Sequence, residues 1–212
     1  MAQLISLLLA YPKPVIRAGL LKMLEGSGIK VVGEANHARE AVALARKLGP
    51  DVVLIDAILP GVDSFDVVRK LRSTVPDAKL LVLSAVDNPT YMARAHAAGA
   101  TDYLLEELSA DDLVTAVRNA AAGKPPGKGS RYTTFLSQLE NRESPGPAAG
   151  KLTPREQQVL RHISLGLPNK EIASSLAISV ETVKEHVQNI LRKMGLKDRT
   201  QAAVWAAQQE PA

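Results

Sequence analysis

The chain has no cysteine among its 212 residues, and aromatic residues make up only 3% of it. The absence of cysteine excludes disulfides, thiolate zinc sites and thiol nucleophiles, and it is typical of the reducing cytoplasm. Long hydrophobic runs are also missing, because the apolar run Leu4–Ala10 has seven residues where a membrane span needs roughly 20. We therefore expect a cytoplasmic protein without a membrane segment, whose core is built from Leu, Val, Ile and Ala.

Sequence signatures of catalysis are absent as well. The chain has no Walker sequence, no glycine-rich nucleotide loop and no plausible catalytic triad. Its four histidines do not have the spacing of metal ligands. We therefore expect no cofactor, no metal and no enzymatic activity.

Charge is distributed unevenly along the chain. The net charge is +4, to which residues 1–123 contribute −1 (13 basic and 14 acidic side chains) and residues 151–212 contribute +3 (9 basic and 6 acidic). Positive charge in the last third is expected if that part contacts nucleic acid. Solvated surface charge alone would also produce so small a bias.

Residues 1–123 alternate between short apolar runs and longer stretches with helical periodicity. This alternating pattern predicts an α/β domain with a parallel sheet, whose functional groups lie at the carboxyl ends of the strands. The predicted strands are Leu4–Ala10, Ile29–Glu34, Val52–Asp56, Leu80–Ser84 and Asp102–Leu105, and the predicted helices are Val15–Leu24, Ala38–Leu48, Phe65–Ser73, Thr90–Ala98 and Ala110–Ala122.

The remaining residues divide into a linker and an all-α domain. Residues 124–150 are rich in Gly, Pro and Ser, which predicts an interdomain linker with one short helix at Thr133–Asn141. Residues 151–212 are helical throughout. There, Thr153 and Glu156 form a capping-box pattern around Pro154, and a later helix is expected to begin after a Ser179 cap.

The segment Asn169–Gln188 has the layout of a helix-turn-helix, with two helices on either side of a short break. Val183 and Val187 are expected to face inward, so that the opposite side of the second helix is free to enter the major groove of double-stranded DNA. Cationic side chains would neutralise phosphates, and amide or carboxylate side chains would read base edges. The candidate DNA-binding residues are Lys170, Thr182, Lys184, Glu185, Gln188, Asn189, Arg192 and Lys193.

These C-terminal residues resemble the LuxR/NarL-type helix-turn-helix domain. The resemblance covers residues 152–207 and is carried by LTPREQQVL, GLPNKEIA and ETVKEHVQNILRKMGLKDRTQAAVWA. It implies four helices, of which the third reads DNA and the fourth, around Arg199–Gln208, makes a dimer contact. Glu185 and Gln188 depart from the NarL pattern, which has an apolar residue and a lysine there, and a different binding-site sequence is therefore expected.

Residues 3–122 resemble the response-regulator receiver, a flavodoxin-like (βα)5 fold, most specifically in PDVVLIDAILPGVDSFDVVRKLR. The resemblance places Asp56 at the phosphoacceptor position, Ser84 at the hydroxyl position after the fourth strand, and Tyr103 at the switch aromatic of the fifth.

Other positions of the receiver pocket have lost their chemistry. The family uses an acidic pair after the first strand to bind a divalent cation, and Tyr11 and Pro12 stand in that place. The family lysine after the fifth strand, which holds the phosphoryl group, is replaced by Glu106. Because magnesium needs several oxygen ligands, we predict a degenerate receiver that does not use metal-dependent phosphotransfer at Asp56. Lys13 is a candidate partner for Asp56 or Glu106, replacing part of the metal's charge.

Three functions remain open. The first is a dimeric DNA-binding transcription regulator whose receiver-like domain responds to an unknown ligand or partner protein. The second is a two-component response regulator that a histidine kinase phosphorylates at Asp56. The third is an adaptor that uses both domains for protein contacts and does not bind DNA.

Overall fold

The computed structural model describes residues 4–127, 130–140 and 151–209, without the side chains of 138–140 and 207–209. The described chain forms two compact units. The first contains residues 4–87 together with 98–137, and the second contains 88–97 together with the C-terminal helices.

The first unit is built on a sheet of five parallel strands in the order β2-β1-β3-β4-β5. This arrangement confirms the predicted parallel sheet, and every predicted strand is present. The register pairs Ala10 of β1 with Ile55 of β3, and Asp56 of β3 with Leu83 of β4, so these strands end at the same edge. The strands are β1 (Ile5–Ala10), β2 (Ile29–Ala35), β3 (Val52–Asp56), β4 (Lys79–Ser84) and β5 (Asp102–Leu105).

Five helices alternate with these strands along the chain, as the periodicity predicts, and the fourth of them belongs to the second unit. Local capping fixes where several of them begin. The Asp63 side chain accepts a hydrogen bond from the Phe65 N–H, and Ser109 and Asp112 form a capping box. One core cluster joins β1, β3 and β4 to the inner faces of the first and fifth helices, and it includes Tyr11. The helices are α1 (Pro14–Leu24), α2 (Ala38–Leu48), α3 (Ser64–Thr74), α4 (Pro89–Ala97) and α5 (Ala110–Ala121).

A further helix, α6 (Arg131–Glu140), lies in the segment predicted to be a linker with one short helix. Tyr132 and Phe135 are buried, and the Tyr132 hydroxyl donates to the Ala100 carbonyl at 3.3 Å. The first turns of α6 are therefore part of the first unit. The predicted end of this helix, Asn141, and the rest of the linker to residue 150 lie outside the described residues.

The C-terminal helices form the predicted four-helix arrangement: α7 (Pro154–Ser164), α8 (Asn169–Leu176), α9 (Val180–Met194) and α10 (Arg199–Gln209). Thr153 and Glu156 form the predicted capping box, and Ser179 caps α9 by accepting from the Thr182 N–H. The core of these helices contains Val159, Ile163, Ile172, Val183, Ile190 and Met194.

Among the described residues, no helix has both the length and the apolar composition that a membrane crossing requires.

Candidate functional site: nucleic-acid interface and receiver pocket

Helices α8 and α9 form the two helices of the helix-turn-helix. The turn between them contains Ala177, which has a positive φ of 52°, and the chain reverses there before Ser179 starts α9. Val183 is fully buried and Val187 is half-buried against the same core, which agrees with the inward direction expected of both. The opposite face of α9 is therefore left to solvent.

The exposed face of α9 carries most of the candidate DNA-binding side chains. Lys184, Gln188 and Arg192 recur every four residues and are exposed, and Glu185 lies beside them. Lys184 forms an ion pair with Glu181 at 2.8 Å, between two exposed side chains one turn apart. Such a pair contributes little, so the Lys184 ammonium is available to a phosphate.

The other candidate residues surround this face. Thr182 is half-buried, and its hydroxyl lies 2.8 Å from that of Ser179. The Arg192 guanidinium donates to the Asn189 side chain at 3.0 Å. Lys170 is exposed near the start of α8.

Lys193 differs from the other cations of α9, because its charge is engaged inside the unit. Its Nζ lies 2.8 and 2.7 Å from the two carboxylate oxygens of Glu156, which is 3% exposed. Burial raises the pKa of Glu156, but the bonds from Lys193 and from Thr153 oppose this and leave it below its ordinary value. Lys193 therefore holds the C-terminal end of α9 against the start of α7, a role that the sequence did not reveal.

Arg199 makes a second anchoring contact that sequence reasoning missed. Its guanidinium donates to the Asn169 side chain at 2.8 Å and to the Leu167 carbonyl. Burial lowers the pKa of Arg199. The contact ties the start of α10 to the start of α8, and a single arginine at a helix start gives no sequence signal for it.

The receiver pocket lies at the carboxyl ends of the strands, where the parallel topology brings β1, β3, β4 and β5 to one edge. Tyr11 follows β1, Asp56 ends β3, Ser84 ends β4 and Glu106 follows β5. Tyr11 is fully buried and Asp56 is 4% exposed.

The Tyr11 hydroxyl donates a hydrogen bond to a carboxylate oxygen of Glu106. The same hydroxyl also interacts with the Asp56 carboxyl. The other contact of Asp56 is with its own loop, where the Ile58 N–H donates to it at 2.9 Å. Tyr11 and Glu106 are thus bonded to each other beside Asp56.

This environment changes the proton affinity of both groups. Burial, with smaller contributions from the hydrogen bond to Glu106 and from the nearby carboxylates, raises the pKa of Tyr11. Burial also raises the pKa of Asp56 to about 6, although the Ile58 N–H and Lys13 act in the opposite direction. Tyr11 therefore stays a neutral hydrogen-bond donor, and Asp56 takes up a proton in weakly acidic solution.

Ser84 and Tyr103 are both turned toward the loop after β4. The Ser84 hydroxyl accepts from the Val86 N–H at 3.0 Å, and the Tyr103 hydroxyl donates to the Val86 carbonyl at 2.7 Å. Ser84 is fully buried and Tyr103 is 2% exposed. Tyr103 is therefore a packed aromatic in this conformation.

The expected ion pair of Lys13 is not formed. Lys13 is exposed, and within the described residues no ion pair joins it to Asp56 or Glu106. Glu106 instead accepts from Tyr11. The charge of Lys13 still lowers the pKa of Asp56, but less than burial raises it.

The pocket residues do not fit the divalent cation that receivers bind. A phenol and a half-buried proline, Tyr11 and Pro12, stand where carboxylate ligands are needed, and the phenol is bonded to Glu106. In the described part of the chain, no group of three or more His, Cys, Asp or Glu is placed to hold a metal ion.

The Tyr11–Glu106 bond was missed by sequence reasoning, although both residues were singled out. One signal in the sequence could have revealed it. Tyr11 and Glu106 both depart from the receiver pattern, and the resemblance brings their two positions to the same edge of the sheet. A tyrosine is long enough to reach across that edge, and a carboxylate is the acceptor that a phenol needs.

Comparisons with known proteins agree with both halves of the chain. Residues 8–118 match the response regulator receiver domain, and residues 150–206 match the bacterial regulatory proteins of the luxR family. The nitrate/nitrite response regulator protein NarL of Escherichia coli (strain K12) is 35% identical over 206 residues, which cover 96% of this chain and 95% of that protein.

Two further proteins extend the comparison. The transcriptional regulatory protein LiaR of Bacillus subtilis (strain 168) is 36% identical over 204 residues, which cover 96% of this chain and 97% of that protein. The solved structure of the two-component response regulator RcsB–DNA complex is similar in fold, with a TM-score of 0.65, 21% identity, and coverage of 98% of this chain and 100% of that one.

Proposed function

Because the chain belongs to the NarL-type response regulators, which join a receiver domain to a LuxR-family DNA-binding domain, we propose that it regulates transcription without metal-dependent phosphorylation of Asp56. The observation that carries this proposal is the Tyr11–Glu106 hydrogen bond in the receiver pocket.

The exposed face of α9 supports direct readout of DNA. Lys184 and Arg192 present cations to phosphates, while Gln188 and Glu185 present groups that pair with adenine and with cytosine N4. Of the eight candidate DNA-binding residues, Lys193 is assigned a structural role, because Glu156 already holds its ammonium.

The pocket supports control that does not use phosphate. A phosphoryl group on Asp56 would bring negative charge close to the carboxylate of Glu106, at the position where receivers have a lysine. In addition, no pair of carboxylates follows β1 to bind a cation that would neutralise this charge. A ligand or a partner protein at the first unit then supplies the input.

The short DNA sequence that one recognition helix can read favours a homodimer. One recognition helix reads only a few base pairs, and two-fold pairing of two copies doubles the site. The RcsB structure describes a complex of that regulator with DNA. For this chain we propose inverted half-sites separated by about one turn of DNA.

The DNA interface is tested by selecting bound duplexes from a random library and measuring their affinity by fluorescence anisotropy over a range of salt. Lys184→Ala should weaken binding to all selected sequences about equally, because one phosphate contact is lost. For the same reason, the slope of the logarithm of the binding constant against the logarithm of the salt concentration should become smaller by about one. Gln188→Ala should instead relax the preference at one base position.

Lys151→Ala is the matched control, because Lys151 is an exposed lysine that precedes α7 and lies off the α9 face. Saturable, salt-sensitive binding that Lys184→Ala leaves unchanged would contradict the assigned interface. Absence of any DNA binding would favour the adaptor function.

A further inference from the structure

A groove on the first unit lies between α2 and α3, and it is lined by residues other than those of the receiver pocket. It encloses about 650 Å³, a volume within the range of ligand-binding clefts. Its apolar lining includes Val42, Ala43, Val62 and Val67, and Val62 is 48% exposed.

The groove is formed by two matching helical stripes. On α2, the lining residues Arg39, Val42, Ala43 and Arg46 follow the spacing i, i+3, i+4, i+7. Positions 63, 66, 67 and 70 repeat that spacing at the start and along the length of α3. Each stripe spans about two turns, or roughly 10 Å, and the small side chain of Ala43 lets a partner approach α2 closely.

Three of the five charged residues that line the groove are cations. Arg39, Arg46 and Lys70 line it, and none of them forms an ion pair among the residues that the structure describes.

Both acidic residues of the lining have partners on α3. Asp63 accepts from the Phe65 N–H as the cap of α3, and Asp66 pairs with Arg69. Residues 1–123 carry a net charge of −1, so a cationic rim is a local feature of this face.

We propose that the α2–α3 groove is the docking site of an acidic, amphipathic helix from a partner protein. Such a helix offers apolar side chains at i, i+3, i+4 and i+7 to the valine and alanine floor, with carboxylates beside them for the cationic rim. A nucleic acid backbone would meet the cations but leave the valines exposed to water. The inference extends the proposed function by naming a partner class, and it holds whether or not Asp56 is phosphorylated.

The test is isothermal titration calorimetry of the full chain with two synthetic helical peptides. Both carry leucines at i, i+3, i+4 and i+7, and they differ only in flanking the leucines with glutamates or with lysines. We expect saturable binding of the glutamate peptide and at least tenfold weaker binding of the lysine peptide, because charge across the rim selects the partner.

Two variants locate the binding. Lys70→Glu should weaken binding of the glutamate peptide about three- to tenfold, since it replaces an attraction by a repulsion at an exposed site. Ala43→Lys should weaken it as well, although it adds a positive charge, because it places a charged chain over the apolar floor. Lys30→Glu, an equal charge change at an exposed residue of β2, is the control.

Unchanged melting temperatures establish that the variants are folded. The proposal is overturned if the glutamate peptide gives no saturable heat, if both peptides bind equally, or if Lys30→Glu matches the effect of Lys70→Glu. Tighter binding in Ala43→Lys would mean that charge alone attracts the peptide, and it also overturns the proposal. Anionic vesicles or duplex DNA whose binding depends on Lys70 would assign the groove to a membrane surface or to nucleic acid instead.

Discussion

Asp56 is a buried carboxyl, and burial is the main reason that its pKa is raised. The Tyr11 hydroxyl has one hydrogen, and it donates this hydrogen to Glu106. The Ile58 N–H, the charge of Lys13 and the Tyr11 hydroxyl favour the ionised form of Asp56, but together they do not outweigh burial. The nearby Glu106 carboxylate acts with burial and favours the protonated form.

The stability of the protein should therefore depend on pH through Asp56. Its folded pKa is about 6, above the unfolded value of about 3.9. Between these two pH values, the native state binds more protons than the unfolded state. The free energy of unfolding therefore falls as the pH rises from the unfolded pKa to the folded pKa of about 6. Asp56→Asn keeps the shape without the charge. Its stability relative to wild type should rise by roughly 1–2 kcal/mol between pH 4 and pH 8.

Urea unfolding at a series of pH values measures this difference. Asp77→Asn serves as the control, because it makes the same substitution at an exposed aspartate. A difference between Asp56→Asn and wild type that is constant with pH would mean that Asp56 has no raised pKa.

The Tyr11–Glu106 bond is the second feature that a single side chain tests. Tyr11→Phe keeps the buried ring and removes only the donor, which leaves a half-buried carboxylate without its partner. We expect a loss of about 1.5–3 kcal/mol of unfolding free energy, the usual scale of a hydrogen bond to a charged group.

A double-mutant cycle with Glu106→Ala isolates the pair. Because each single variant breaks the same contact, the double variant should lose less than the sum of the two. Additive losses would show that the two side chains do not interact.

At the scale of elements, the recognition helix is positioned by a contact at its far end. Lys193→Ala should destabilise the C-terminal helices by about 1–3 kcal/mol, because it leaves the buried carboxylate of Glu156 without its cation. Thermal unfolding followed by circular dichroism measures the loss. Arg192→Ala, at the exposed neighbouring position, should change stability by no more than about 0.5 kcal/mol. Equal effects of the two substitutions would contradict a structural role for Lys193.

The helices and strands were predictable because each is encoded by nearby residues. Apolar runs mark β1, β3 and β4 as buried strands, and the Thr153–Glu156 capping box and the Ser179 cap mark the starts of α7 and α9. The resemblance to known receivers and helix-turn-helix domains supplied the order of these elements and the positions of the two candidate sites.

The contacts inside the sites were not predictable in the same way, because they join residues far apart in sequence. Tyr11 and Glu106 are 95 residues apart, and Lys193 and Glu156 are 37 apart. Helical periodicity placed Lys193 with the other cations of α9. It cannot show that the core turns this one lysine toward a buried carboxylate.

At the scale of the whole molecule, the chain combines a DNA-binding unit with a receiver unit in whose pocket two side chains are bonded to each other. Tyr11 and Glu106 are bonded to each other where receivers hold a cation and a lysine. The proposed input therefore enters elsewhere on the first unit, and the α2–α3 groove is the surface that we assign to it.

The most direct test of this account is the intact mass of the full chain after incubation with acetyl phosphate and Mg²⁺. The account predicts an unchanged mass for both the wild type and Asp56→Asn. A phosphoryl group that adds to the wild type and is absent from Asp56→Asn would contradict it.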